Sequence, residues 1–190
     1  MILNPHYELR GKHAFLSPSS PYWLNYDEQK LSSTWTNNQA KERGTRLHAV
    51  AAELIDLGIK LPRSKKTLNL YVNDAINYGM TTEQPLYFSE NCFGTADCIS
   101  FSDNLLRIHD LKTGETPAKI EQLKIYDALF CLEYSFDPEI IKHELRIYQN
   151  NDIYVEQADP KDIRAIMGHI IWADSIISRM KGDTKWQNRN

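Results

Sequence analysis

An α/β (mixed α+β) fold, with a central mixed β-sheet flanked by helices, is predicted from three observations on this 190-residue sequence. Apolar residues recur at helical spacing in the first 80 residues. Alternating, strand-like runs fill residues 83–156. Between them, at 118–134, and after them, at 159–181, lie two amphipathic helical segments, so strands and helices are interleaved.

Length and composition fit this reading. The chain is long enough for one domain, 1–190, with a sizeable core of its own. Hydrophobic residues make up 42%, with four Trp, ten Tyr and six Phe, which argues for an ordered globular chain. The opening "MILNPHYELRGKHAF" has no apolar signal-peptide stretch, and no run approaches the length of a membrane span. A cytoplasmic protein without a membrane partner is expected. Cys92, Cys98 and Cys131 are odd in number and lack CxxC spacing, so they read as small buried residues. The net charge of −3 excludes a globally basic, DNA-coating protein. A local basic groove remains open to Lys41, Arg43 and Arg46, or to Lys60, Arg63, Lys65 and Lys66, although each alone reads as a solvated side chain.

Along the chain, "FLSPSSPYWLN" suggests a short helix capped by Ser17 with Pro18 behind it. Tyr22 and Trp23 sit on it, with core packing and base stacking as alternatives. Leu47, Val50, Ala51, Leu54 and Leu57 predict a helix over 36–57, stopped by Gly58. "LNLYVNDAINYGM" predicts a second, ending near Gly79. "EQPLYFSE", "CFGTADCISF" and "LLRIHDLKT" read as three strands, the last two joined by the turn "SDN". The helix at 118–134 follows Gly114 and Pro117. "HELRIYQ" and "DIYVEQ" form a second hairpin through "NN", and Asp159 with Pro160 opens a final helix to about Met180. The tail after it is expected to fray.

One window concentrates chemistry. Asp97 and Asp110 lie on paired strands, and Asp110 and Lys112, two apart on a strand, share a face. Gln122 and Tyr126, four apart, share a helix face. Two carboxylates suit a hard divalent cation such as Mg²⁺, and a lysine beside them orients water and balances charge on a phosphoryl group. Asp110 is expected to stay ionised beside such a cation and Lys112. Gly94, inside a strand, marks a close approach of backbone. Alone, Asp-x-Lys on a strand more often means two solvated side chains.

The run "GTADCISFSDNLLRIHDLKTGETPAKIEQLKIYDAL" resembles the PD-(D/E)xK nuclease superfamily, in its RecB-like exonuclease branch. That family has a Gly-x-x-Asp strand, an Asp-x-Lys strand and a Gln-x-x-x-Tyr helix, in this order. Upstream, "GTRLHAVAAELI" is similar to the family's helical motif, which places Gly44 and His48. The resemblance implies a restriction-endonuclease-like core, with His48, Asp97, Asp110 and the Leu111 carbonyl as metal ligands. It implies Lys112 as catalytic lysine, with Gln122 and Tyr126 positioning it or the DNA. A histidine ligand makes Mn²⁺ suitable beside Mg²⁺.

Tyr22, Trp23, Arg43, Arg46 and Lys119 are candidate DNA contacts, whereas Glu83 and Glu53 read as solvated or structural. His109, facing away from Asp110, drops out. Some relatives carry a four-cysteine iron–sulfur cluster, and three cysteines exclude it here. The implied activity is Mg²⁺- or Mn²⁺-dependent hydrolysis of DNA phosphodiesters in phage or bacterial recombination, repair or DNA degradation, with an exonuclease favoured. A structure-selective or nicking endonuclease and a non-catalytic DNA-binding subunit are the alternatives. No helicase motif is present, so an unwinding or recombination partner would be a separate chain, and a homo-oligomer is compatible.

Overall fold

In the computed structural model, the backbone is described for residues 7–9 and 12–187. The chain divides into two compact units, Met1–Thr45 and Arg46–Asn190.

In the first unit, Ser17 and Pro18 start a turn and not the expected helix. The Ser17 carbonyl accepts hydrogen bonds from the Ser20 amide and from the Trp23 indole (3.0 Å). The second Ser-Pro step, Ser20–Pro21, opens a short 3₁₀ helix over Pro21–Asn25. Helix α1 spans Glu28–Asp56, starting well before the expected residue 36. Its opening stretch, "EQKLSSTW", lacks an apolar stripe, but Asp27 accepts from the Lys30 amide (2.7 Å) and so supplies an N-cap.

The second unit has, among the described residues, one five-stranded sheet in the order β1-β2-β3-β4-β5. The strands are β1 (Thr81–Ser89), β2 (Cys92–Ser102), β3 (Leu105–Leu111), β4 (Lys142–Gln149) and β5 (Asp152–Gln157). β3 and β4 run parallel and the other neighbours antiparallel, which gives the mixed sheet. Both predicted hairpin turns sit where expected. Asp103 and Asn104, then Asn150 and Asn151, all have positive φ, the backbone a tight two-residue turn requires. The β1–β2 hairpin turns at Glu90–Asn91.

Helix α3 (Glu121–Glu133) makes the crossover between the parallel strands, and α4 (Pro160–Gln187) follows the last strand. α4 continues through Gln187, past the expected end at Met180, because no proline interrupts "KGDTKWQ". α3 and α4 cover one sheet face, where Leu123, Ala128, Ile163 and Ile170 pack on Leu86, Ile108 and Leu145. Helix α2 (Thr67–Asn77) and the last turns of α1 cover the other, with Ala51, Ile55, Tyr71 and Val72 on Leu111 and Tyr148. A sheet covered on both faces needs apolar side chains on both, and β3 is accordingly almost wholly buried. No helix among the described residues is long and apolar enough to cross a membrane.

His109 is fully buried on the α2 side of β3. The Tyr148 hydroxyl donates to Asp74 (2.8 Å), so its oxygen is left to accept from His109 Nδ1 (3.3 Å). His109 Nε2 is then a bare, buried acceptor. Burial, then the Arg146 and Arg107 charges, lowers the His109 pKa to about 3. With the folded value depressed, the neutral ring contributes stability that is complete above the unfolded value near 6.5. That contribution is lost as pH falls through 3. Urea melts between pH 7 and pH 4 should show a loss on the order of a few kcal/mol, and His109→Asn should flatten that slope.

Candidate metal and phosphodiester site

The site begins where a ladder ends. β2 and β3 are paired from Ser102–Leu105 to Cys98–His109, and the pairing stops there. β3 stays attached to β4, since the Lys112 amide donates to the Tyr148 carbonyl (2.9 Å). The next residue of each strand, Asp97 and Asp110, borders the opening. A side chain replaces the missing ladder bond: the Leu111 amide donates to Asp97 Oδ2 (3.0 Å). Leu111 anchors this arrangement with its side chain in the α2-side core.

His48 reaches the opening from α1, with Nδ1 3.3 Å from Asp97 Oδ2. Glu83 reaches it from β1. It lies between the register pairs Thr82–Cys98 and Gln84–Ala96, opposite Asp97. Its φ is +46°, a left-handed backbone that costs a non-glycine residue on the order of 1 kcal/mol. Ligand atoms of His48, Glu83 and Asp97 lie within 4.8 Å of one another. Glu83, read from the sequence as solvated or structural, is exposed and also lies within this cluster. Only a strand residue in that unusual conformation brings it there. Glu53 stays exposed on α1.

Asp110 stands on the other side of this group and pairs with Lys112. Its Oδ1 accepts from Lys112 Nζ (3.1 Å). Oδ2 lies 3.0 Å from the same nitrogen but off the line of any hydrogen bond, and is buried without an aligned donor. Lys112 Nζ also donates to Gln122 Oε1 (3.0 Å), and Gln122 Nε2 donates to the Tyr126 hydroxyl (3.3 Å). The Tyr126 ring covers Gly94, where a Cβ would meet its Cε1 at 2.9 Å. The close approach expected at Gly94 is thus made by this ring. Asp110, Lys112, Gln122 and Tyr126 form one chain of contacts from β3 to α3. Two of the three ammonium hydrogens of Lys112 are used in it, and the third is left for a substrate or water oxygen.

The electrostatics are those of too many acids in one place. The Asp97 hydrogen bond, helped by the charges of Asp97, Asp110 and Glu83, holds His48 above its usual pKa despite burial. Burial and then Asp97 push Glu83 up. Burial and then Asp97 also push Asp110 up, against the pull of Lys112. Without a metal, the burial of this carboxylate outweighs the pull of Lys112. Three carboxylates against one ammonium leave an excess of negative charge that a divalent cation would relieve.

The donor set fits such a cation. Two ligands on opposite sides of a hard cation stand about 4.2 Å apart at bond lengths near 2.1 Å, so a separation under 4.8 Å closes with small side-chain rotations. Carboxylate oxygens with one imidazole suit Mg²⁺ and Mn²⁺.

Arg46 is exposed on α1, and Lys119 is exposed on the loop before α3. Tyr22, Trp23 and Arg43 belong to the first unit, where Tyr22 is exposed and Trp23 half-buried.

A family model described as "Protein of unknown function (DUF2800)" matches residues 79–151. That segment carries Glu83, Asp97, Asp110, Lys112, Gln122 and Tyr126, and begins after His48. No curated protein matches the chain.

Proposed function

We propose that this chain is a metal-dependent nuclease that hydrolyses DNA phosphodiester bonds, acting as an exonuclease at DNA ends. The observation that carries the reading is the contact chain from Asp110 through Lys112 and Gln122 to Tyr126, set beside the His48–Glu83–Asp97 cluster. The resemblance of the same residues to the RecB-like branch supports both the chemistry and the preference for ends.

In this reading, His48, Glu83, Asp97 and Asp110 hold Mg²⁺ or Mn²⁺. The bound ion supplies Lewis-acid polarisation of the phosphoryl group and a more acidic water. Asp97 does double duty, since its Oδ2 also fixes the Leu111 amide and so the end of β3. Lys112, held by Asp110 on one side and Gln122 on the other, directs its remaining N–H at the oxygen that gains charge as the phosphorus is attacked. Tyr126 and Gln122 keep the ammonium from swinging into solvent.

Cleavage of 5′- and 3′-labelled single- and double-stranded DNA with Mn²⁺ tests the reading. Release of mononucleotides from an end is expected, whereas internal nicks would make the enzyme an endonuclease. Absence of Mg²⁺- or Mn²⁺-dependent cleavage on every substrate would falsify it. The ligand assignments have their own readout. Mn²⁺ titration by calorimetry should show binding lost in Asp97→Ala and weakened about tenfold in Glu83→Gln. Unchanged affinity in both would remove these residues from the ligand set.

A further inference from the structure

Beyond the cluster, the Lys112 side of the site opens into a cleft of about 310 Å³. Leu47 from α1, Leu68 from α2 and Leu111 from β3 line it, with Thr113 and Asn150 among the polar residues. No carboxylate lines it, in contrast to the adjoining metal cluster.

Its polar edge is a built structure. Asn150 and Asn151 form the left-handed turn between β4 and β5. Asn151 accepts from the Thr67 amide (3.1 Å), and its own amide donates to the Thr67 hydroxyl (2.8 Å), which ties the turn to the start of α2. Gln149 accepts from the Ala118 amide (3.0 Å) and donates to the Gly114 and Thr116 carbonyls, and Asn150 donates to the Glu115 carbonyl. One three-residue turn therefore fixes both the α2 start and the loop that runs from Lys112 toward α3. The amide oxygen of Asn150 is left without a partner among these bonds.

We infer that this cleft is a nucleotide subsite that takes one unpaired base of the DNA strand being cut. The inference rests on the nuclease reading for the identity of the strand. Four features select this occupant. Lys112 belongs to both the cleft and the reacting site, so whatever fills the cleft is attached to the scissile phosphate. Leucine side chains offer an apolar surface to the flat face of a heterocycle. The edge carries an amide and a hydroxyl, which together meet both the donors and the acceptors of a neutral base. The volume lies at the low end of small-ligand sites, about 300–1,000 Å³, and admits a single nucleotide but no base pair. A strand must then be single, or frayed at its end, to be cut.

The test has two arms. In the first, deoxythymidine monophosphate should shift the methyl resonances of Leu47 and Leu68 in NMR spectra of the full chain, and deoxyribose 5-phosphate should not. Equal shifts from both, or none from either, overturn the subsite whatever the enzyme does. In the second, Leu68→Trp fills the cleft, and Asn150→Gly removes the amide while keeping the left-handed turn. Each should raise KM for single-stranded DNA about tenfold with kcat little changed. A strand abasic at the cut site should already show the higher KM and respond little to either variant. Variants that lower the two substrates equally, with folding confirmed by circular dichroism, also overturn it. If the wild type cleaves and the variants match it, the nuclease reading stands and the subsite falls. If the wild type cleaves nothing, the nuclease reading falls and the NMR arm alone decides whether a base binds.

Discussion

Lys112→Ala is expected to lower metal-dependent DNA cleavage by about 10²–10⁴-fold while leaving Mn²⁺ binding intact or tighter, because in the proposed mechanism the ammonium serves the reacting phosphate and not the metal. The direction of the second effect follows from the charges. Lys112 pairs directly with Asp110, with Nζ 3.0 Å from Oδ2. Removing it exposes a metal to the full field of Asp97, Glu83 and Asp110, and so strengthens attraction for a divalent cation. It also strips a carboxylate that is 4% exposed of its counter-charge. Without metal the variant should therefore melt lower than the wild type, and adding Mn²⁺ should recover most of the difference. Asp97→Ala makes the contrast, since it should lose metal binding and cleavage together. Calorimetric Mn²⁺ titration and end-labelled DNA assays on both variants read the two outcomes. If Lys112→Ala retains cleavage, the lysine has no part in the chemistry.

The second large effect concerns a pair that ties α3 to β4. Asp127 on α3 and His143 on β4 are buried together, with side chains 0% and 1% exposed. His143 Nδ1 contacts both Asp127 oxygens (2.9 and 2.8 Å), while Nε2 lies 2.8 Å from the Pro138 carbonyl. A carbonyl only accepts, so Nε2 carries a proton, and a further proton is shared between Nδ1 and the carboxylate. Asp127 holds the His143 pKa up against burial, and burial raises that of Asp127. Both shifts mean that the folded chain binds more protons here than the unfolded one. The pair's stabilisation is thus present in mild acid and declines as pH rises through the raised His143 value, opposite in sign to the effect of His109.

His143→Ala leaves a buried carboxylate without a partner, and about 3–5 kcal/mol of stability should be lost in urea melts at pH 6. Asp127→Asn keeps the shape and one hydrogen bond, so its loss should be smaller. Equal and small losses in both would show that the pair contributes little. Because Gln122 and Tyr126 stand on the same helix as Asp127, partial loosening of this pair should also weaken the grip on Lys112.

Local pattern carried much of the fold. Strand alternation and turn residues located both Asn-containing hairpins, since only a few residues tolerate a left-handed backbone. Helix ends were read less well where the signal was not apolar spacing. The start of α1 depends on Asp27 as a cap ahead of a polar run, and α4 outlasts its apolar stripe. Within the site, the two-residue step from Asp110 to Lys112 and the four-residue step from Gln122 to Tyr126 placed each pair correctly on its own face. The contacts Lys112–Gln122 and Gln122–Tyr126 then join the two faces.

The sequence by itself determined the mixed α/β class, the order of elements and which side chains share a face, because these follow from periods of 2 and 3.6 residues along a chain. Only the tertiary structure decided that β2 and β3 part after Cys98 and His109, that Glu83 turns into the cluster, and that burial raises the Asp110 pKa despite Lys112. These depend on register between strands, on a left-handed residue with no glycine to announce it, and on how much of a carboxylate neighbouring elements remove from water. No periodicity within a single element records any of the three.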